Sequence, residues 1–327
     1  MSAQTTALAL GFAALFGALL RAAAPLILAA LGGLLSDLAG VINVALEGIM
    51  LVAAFGGVFG AVYAALWLPG LPAWSYPLIG CAVGLLAAMA TALVLGFVHL
   101  ELGADLIVTG IVINMLASGL TVFLMATWTG DKGSTASLAS PVLPTLAIPG
   151  LSGWPLLDAL ANGDGGAGHH VLVYVAFLAV AGVSLAIFKT RWGLRLRAIG
   201  ENLDAARAAG LPVRRLRYAA LGASGLLAGL GGVYLSMGYL NLFQADMTAG
   251  RGFLALAAVF LGARRPLGTF AAAVLFGAST VLAAQLGLLD IPNQVVFMVP
   301  PLVTIAAMIF LGARRNAARH PQPNPNL

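Results

Sequence analysis

The chain has 327 residues, 61% of them hydrophobic and 8% charged, with a mean hydropathy of +1.01 and a net charge of +5. A soluble domain of this length could not bury so much apolar surface, so the composition excludes a water-soluble fold and points to a polytopic membrane protein. The positive charge sits in a few clusters and is not interleaved with aromatic residues as a single-strand groove requires, so it reports membrane orientation and implies no nucleic-acid partner. The single cysteine, Cys81, lies in an apolar stretch; it excludes an internal disulfide and reads as a small buried side chain.

A helix crossing the hydrocarbon core needs about 20 apolar residues. Residues 5–20 are apolar, but Arg21 and Pro25 leave almost nothing between them and the segment 22–38. They form either a tilted first span or a surface helix. No charged region precedes them, so no cleavable signal peptide is expected. Further spans are expected at 43–66, 77–98, 104–127, 171–188, 218–240, 267–287 and 292–312. A shorter apolar piece, 252–263, begins in the irregular stretch before it. The expected fold is an all-α polytopic membrane protein of about 8–10 transmembrane helices. It occupies one transmembrane domain, 1–319, and the Pro- and Asn-rich tail 320–327 is expected to be disordered.

The run Lys189–Arg217 holds eight of the sixteen Lys and Arg residues and separates two apolar segments. Under the positive-inside rule it is a cytoplasmic loop. Glu201 to Ala209 predicts a short helix stopped by Gly210 and Pro212, a shape suited to docking on a partner. Arg214–Arg217, Arg264–Arg265 and Arg314–Arg315 are two spans apart, so all can face the cytoplasm. Residues 128–170 then fall outside, and they carry only Lys132. This outer loop is punctuated by Pro141, Pro144, Pro149 and Pro155, with flexible Gly163–Gly168, and its length suggests a feature above the membrane that docks an external partner. The adjacent His169 and His170 lack further nearby ligands and read as a loop end, not a metal site.

The stretch ALEGIMLVAA (45–54) resembles AGRGFLALAA (249–258), and the segments that follow begin alike at Pro77-Leu78 and Pro266-Leu267. The two halves cross in opposite directions, which makes an inverted repeat and puts Glu47 and Arg251 at equivalent positions. In AGVINVALEG (39–48), Asn43 and Glu47 lie four apart, on one helix face. A carboxylate deep in a bilayer costs about 3 kcal/mol or more, so Glu47 either faces a pathway or caps and pairs locally. In NLFQADMTAGRGF (241–253), Asn241, Gln244, Asp246 and Thr248 interrupt the apolar pattern, and Gly250 and Gly252 flank Arg251. This is the signature of a discontinuous helix lining a cavity; an ordinary external loop with a snorkelling arginine is the alternative. Asn114 either bonds a neighbouring helix or touches a solute.

No phosphate-binding G-x-x-x-x-G-K-[ST] motif occurs; GDGGAG at 163–168 lacks the lysine. No nucleophile triad, zinc motif, voltage-sensor spacing or potassium-filter sequence is present either.

With these stretches assembled, the chain resembles the inner-membrane permeases of bacterial ABC importers, in the family covering branched-chain amino acid, ribose-type sugar and nucleoside systems, and within it the nucleoside and simple-sugar branch. The matching stretches are PLILAALGGLLSDLAGVINVALEGIMLVAAFGG, GADLIVTGIVINMLASGL, RWGLRLRAIGENLDAARAAGLPV and MTAGRGFLALAAVFLGARRPLG, in the family's order across roughly 25–312. The resemblance implies a non-enzymatic permease subunit of the inner (plasma) membrane with no cofactor of its own, ATP-Mg being held by a partner ATPase. Asn43, Glu47, Asn114, Asn241, Gln244 and Arg251 are its candidate pathway residues. Gly200, Glu201, Asn202, Ala205, Ala206 and Gly210 match the cytoplasmic coupling helix that seats in the ATPase. The implied partners are ABC ATPase subunits, a second and different permease, an extracytoplasmic substrate-binding protein and membrane lipid. Two departures bear on substrate: Pro300-Pro301, where a proline followed by tyrosine is usual, and Arg264-Arg265 ahead of Pro266, where a tryptophan is common. The expected solute is a nucleoside or related small polar molecule. The alternatives are a simple sugar of ribose type, a branched-chain amino acid, or an ion-coupled secondary transporter using Glu47.

Overall fold

The structure, a computed structural model, describes residues 3–131, 133–138, 140–150 and 168–287, together with 158, 162–163, 298–299, 302–307 and 309. Most of the span expected at 292–312, Pro300-Pro301, Arg314, Arg315, Arg319 and the tail lie outside the described residues, as do Lys132, Pro155 and most of Gly163–Gly168.

Among the described residues ten α-helices are delimited: α1 (Ala3–Leu38), α2 (Leu46–Trp67), α3 (Ser75–Leu100), α4 (Leu106–Thr129), α5 (Val171–Lys189), α6 (Arg191–Glu201), α7 (Leu203–Ala208), α8 (Val213–Tyr234), α9 (Arg251–Leu261) and α10 (Pro266–Leu286). Among the described residues seven are long and apolar enough to cross a membrane, and α9 is a shorter apolar helix. The first apolar stretch joins the second: α1 runs unbroken through Arg21 and Pro25 for 36 residues, about 54 Å at ~1.5 Å per residue, more than one crossing needs.

The most enclosed helix is α8. It packs against α1, α2 and α3, with Gly225 on Ala88 and Ala92, and Gly232 on the Met50 backbone. Small residues let helix backbones approach where lipid supplies no hydrophobic drive between helices. Outside this centre, α3 and α4 lie against α2, while α5 and α10 lie against α1. One large apolar core fills the bundle, and a second, small core lies at its basic end, built from Ala39, Leu196, Ile199, Ala206, Leu216 and Ala220.

Away from the basic end, β1 (Thr145–Leu146) and β2 (His169–His170) pair antiparallel, with Thr145 opposite His170. The two histidines close this ribbon as a loop end: His170 caps α5 by accepting from Leu172 N–H at 3.2 Å, and its ring lies edge-on to Tyr234. Burial pushes the His170 imidazole below its usual range.

Candidate translocation path and coupling surface

Two helices start inside the bundle after stretches of irregular backbone. At the first break, α1 ends at Gly40, whose left-handed φ of 70° terminates the helix with N–H bonds from Ala39, Gly40 and Val41 back to Ser36 and Asp37. Arg217 of α8 donates to the Ala39 carbonyl at 3.3 Å. Asn43 is fully buried; its amide nitrogen donates to Ser224 Oγ at 2.9 Å and its oxygen accepts from Ala45 N–H at 3.1 Å, which starts α2. Asn114 of α4 completes the start: it accepts from Gly48 N–H at 2.8 Å and donates to the Val44 carbonyl at 2.9 Å.

At the second break, the end of α8 loosens into a π-turn, Leu235–Tyr239. Residues 240–250 are irregular, with left-handed φ at Asn241, Asp246, Ala249 and Gly250. This segment is pinned to the chain just beyond α4, through Thr135 N–H to the Phe243 carbonyl at 2.8 Å and Ala245 N–H to the Gly133 carbonyl at 2.9 Å. Then α9 begins, and Glu47 of α2 caps it: Oε1 accepts from Gly250 N–H at 2.7 Å and Oε2 from Gly252 N–H at 2.6 Å. A carboxylate here satisfies two of the helix's unpaired donors and complements its dipole. A Cβ at Gly252 would collide with the backbone N and Cα of Glu47, so the glycine is what lets the two starts meet. Arg251 turns inward and bonds the carbonyls of Met247 and Thr248 at 3.0 and 3.2 Å.

The far end of α9 is fastened as well. In the turn after it, Arg264 (φ 59°) places Nε 2.8 Å from Asp37 Oδ2 and Nη2 3.0 Å from Oδ1. The Asp37 side chain is 0% exposed. Because Asp37 lies at the basic end of α1, α9 runs toward that end while α2 runs away from it, so the two matching stretches are oppositely directed. Sequence reasoning passed over Asp37, which reads as an ordinary residue near a helix end; only the buried fork of Arg264 marks it. The same holds for Glu101, in the turn between α3 and α4, where Arg214 Nε lies 2.6 Å away and the Tyr218 hydroxyl donates at 3.0 Å.

The structure therefore brings Glu47 and the start of α9 together and sets Asn43 and Asn114 around the start of α2. The side chains of Asn241 and Gln244 are exposed on the second break and touch none of these groups.

At the basic end the predicted short helix is α7, Leu203–Ala208. A second helix that the pattern did not reveal, α6, comes before it, and α8 starts at Val213, earlier than 218, carrying Arg214, Arg215 and Arg217 on its first turns. Asn202 caps α7 by accepting from Ala205 N–H at 3.0 Å. Gly210, with φ 72°, ends the turn after it. Glu201, Asn202, Asp204, Ala205, Arg207 and Ala208 are exposed, while Ala206 is buried in the small core. A Cβ on Gly200 would strike the Leu38 carbonyl, so α6 lies directly on the end of α1.

Residues 15–310 match the family described as branched-chain amino acid transport system / permease component. The chain belongs to that family. It is a multi-pass membrane permease, a transport component and not a catalyst of ATP hydrolysis. The guanosine ABC transporter permease protein NupQ of Bacillus subtilis is 37% identical over 309 residues, covering 91% of each chain. The nucleoside ABC transporter permease protein NupC of Lactococcus lactis is 33% identical over 293 residues, 88% of this chain and 89% of its own. A further guanosine ABC transporter permease protein of Bacillus subtilis, NupP, is 27% identical over 303 residues, 88% of this chain and 79% of its own.

Proposed function

We propose that this permease is one half of the membrane channel of an ABC importer for nucleosides, paired with a second, different permease in the inner (plasma) membrane. It works with cytoplasmic ATPase subunits that hold ATP-Mg and with an extracytoplasmic substrate-binding protein. Two features of the relatives support this: both closer ones are named as nucleoside or guanosine permeases, and two distinct guanosine permeases occur in one organism.

The observation that carries the coupling is α7, a short capped helix with an exposed polar face, held by its own core at the basic, cytoplasmic end. Glu201 at the end of α6, the cap residue Asn202 and Ala205 of α7 present an exposed surface to the ATPase; Ala206 anchors it, and Gly200 and Gly210 set its entry and exit. The small core includes Ala39 at the end of α1, with Leu216 and Ala220 at the start of α8, so movement of α7 passes to the helices that hold the first break. ATP-driven closure of the ATPases thereby shifts the path between outward and inward access. Asn43, Glu47, Asn114 and Arg251 hold the two helix starts that shape this path, and Asn241 and Gln244 face it.

Uptake of radiolabelled nucleosides, ribose and branched-chain amino acids in cells lacking the gene, with and without ATP depletion, tests the reading. Selective loss of an ATP-dependent nucleoside uptake is the expected result. Uptake that survives ATP depletion and collapses with the ion gradient would overturn it.

A further inference from the structure

Asp246 presents an exposed carboxylate at half the depth of the membrane. Its Oδ1 accepts from Ser118 Oγ at 2.6 Å, and Ser118 stands midway along α4, about 17 Å from either end at a rise of ~1.5 Å per residue. The opposite side of the site gives the same depth. Asp246 lies five residues ahead of α9, which reaches the basic end in eleven residues, or about 16 Å. A lipid-facing carboxylate at that depth costs about 3 kcal/mol or more, so this face does not meet lipid. Among the described residues no cation pairs with Asp246, and Oδ2 has no protein partner.

Nor is the carboxylate held loosely. Its backbone sits at φ 52°, a conformation that Asp tolerates better than most residues, between the clamp of 243–245 on 133–135 and the clamp of Gly250 and Gly252 on Glu47. The Ser118 hydroxyl fixes one oxygen and leaves the other free to accept from a solute on this exposed residue. Glu47, by contrast, has both of its oxygens engaged by backbone N–H groups at the start of α9.

We propose that Asp246, oriented by Ser118, is a solute-contacting residue of the path that recognises adjacent hydroxyl groups, as on the ribose of a nucleoside or on a ribose-type sugar. A carboxylate fixed in this way accepts hydrogen bonds from a diol, as acidic residues do from the ribose of dinucleotides. It repels a solute that carries its own carboxylate, so it selects against free amino acids. The proposal rests on the nucleoside-permease reading given above.

The test uses the complete transporter, with its partner permease, ATPases and binding protein, in proteoliposomes. Uptake of a ribonucleoside is compared with that of its 2′,3′-dideoxy analogue. The wild type is expected to favour the ribonucleoside by tenfold or more. In Asp246→Ala the ribonucleoside rate falls to the dideoxy rate, which itself is unchanged; Asp246→Asn, which preserves shape, loses part of the preference. Wild-type preference retained in either assembled variant overturns the proposal while leaving the nucleoside reading in place. A wild type that carries neither nucleosides nor ribose overturns that reading itself. A second measurement stands without transport: in a Cys81→Ser background, Asp246→Cys is expected to react with a charged, membrane-impermeant thiosulfonate, and an unreactive thiol in the assembled complex overturns the proposal.

Discussion

At the break ahead of α2, Asn43 bonds Ser224 and Ala45, Asn114 bonds Gly48 and Val44, and Glu47 reaches across to Gly250 and Gly252. At the break ahead of α9, Asn241, Gln244 and Asp246 are exposed; the backbone is tied down, and Asp246 keeps one side-chain bond, from Ser118. Both stretches read as polar residues interrupting apolar sequence. The first uses its side chains to satisfy donors and acceptors freed by unwinding a helix, as a membrane requires. The second has its backbone satisfied by other backbone and by side chains from outside its exposed residues, Thr135, Glu47 and Arg251, and leaves Asn241, Gln244 and one oxygen of Asp246 available. An intramembrane polar residue is thus a brace or a contact according to whether the broken backbone nearby still needs it.

The contrast can be broken most forcefully at Glu47. Glu47→Ala removes two charge-assisted hydrogen bonds and is expected to destabilise the folded protein by on the order of 4 kcal/mol. Glu47→Gln, with one acceptor oxygen, should lose about half of that. Unfolding in detergent micelles measures both, and a wild-type midpoint for the alanine variant would show that Glu47 does not brace α9. Asp37→Asn comes next. It weakens a buried fork, but Arg264 is 54% exposed and stays hydrated when the pair is lost, so about 2 kcal/mol is expected by the same measurement. At the second break, Gln244→Ala should change stability by less than about 0.5 kcal/mol. Its effect belongs in the uptake rate, and a large loss of stability without one would make the two breaks alike after all. Smallest in stability is Glu201→Lys at the exposed end of α6, beside α7: the unfolding midpoint should stay put while nucleoside-stimulated ATPase activity is lost. Normal coupling in that variant would separate α7 from the ATPase.

The spans up to 287, the large basic loop and the two breaks were legible because each rests on local composition: run length, charge clusters, and glycine beside polar residues. Continuity of α1 was not, since Arg21 and Pro25 look like a boundary yet fit within one long helix. Helix α6 escaped because basic residues mask its short apolar stripe of Leu196 and Ile199. The roles within the site were hidden for another reason. Glu47 and Gly252 are 205 residues apart, Asp37 and Arg264 are 227 apart, and Ser118 and Asp246 are 128 apart. Pairings across such distances leave no mark on neighbouring sequence. The repeat signalled only that residues 45–54 and 249–258 correspond, not that one half supplies the cap of the other.

Helix α9 behaves as a strut fixed at both ends, with Glu47 holding its start and Asp37 the turn beyond its end. Its eleven residues contain neither proline nor an interior break, and only Gly252, already locked against Glu47, could give. Such a strut cannot bend to absorb a displacement. If α7 moves with the ATPase as proposed, a stroke delivered where α1 meets the small core would be carried, with little lost motion, to the exposed carboxylate of Asp246.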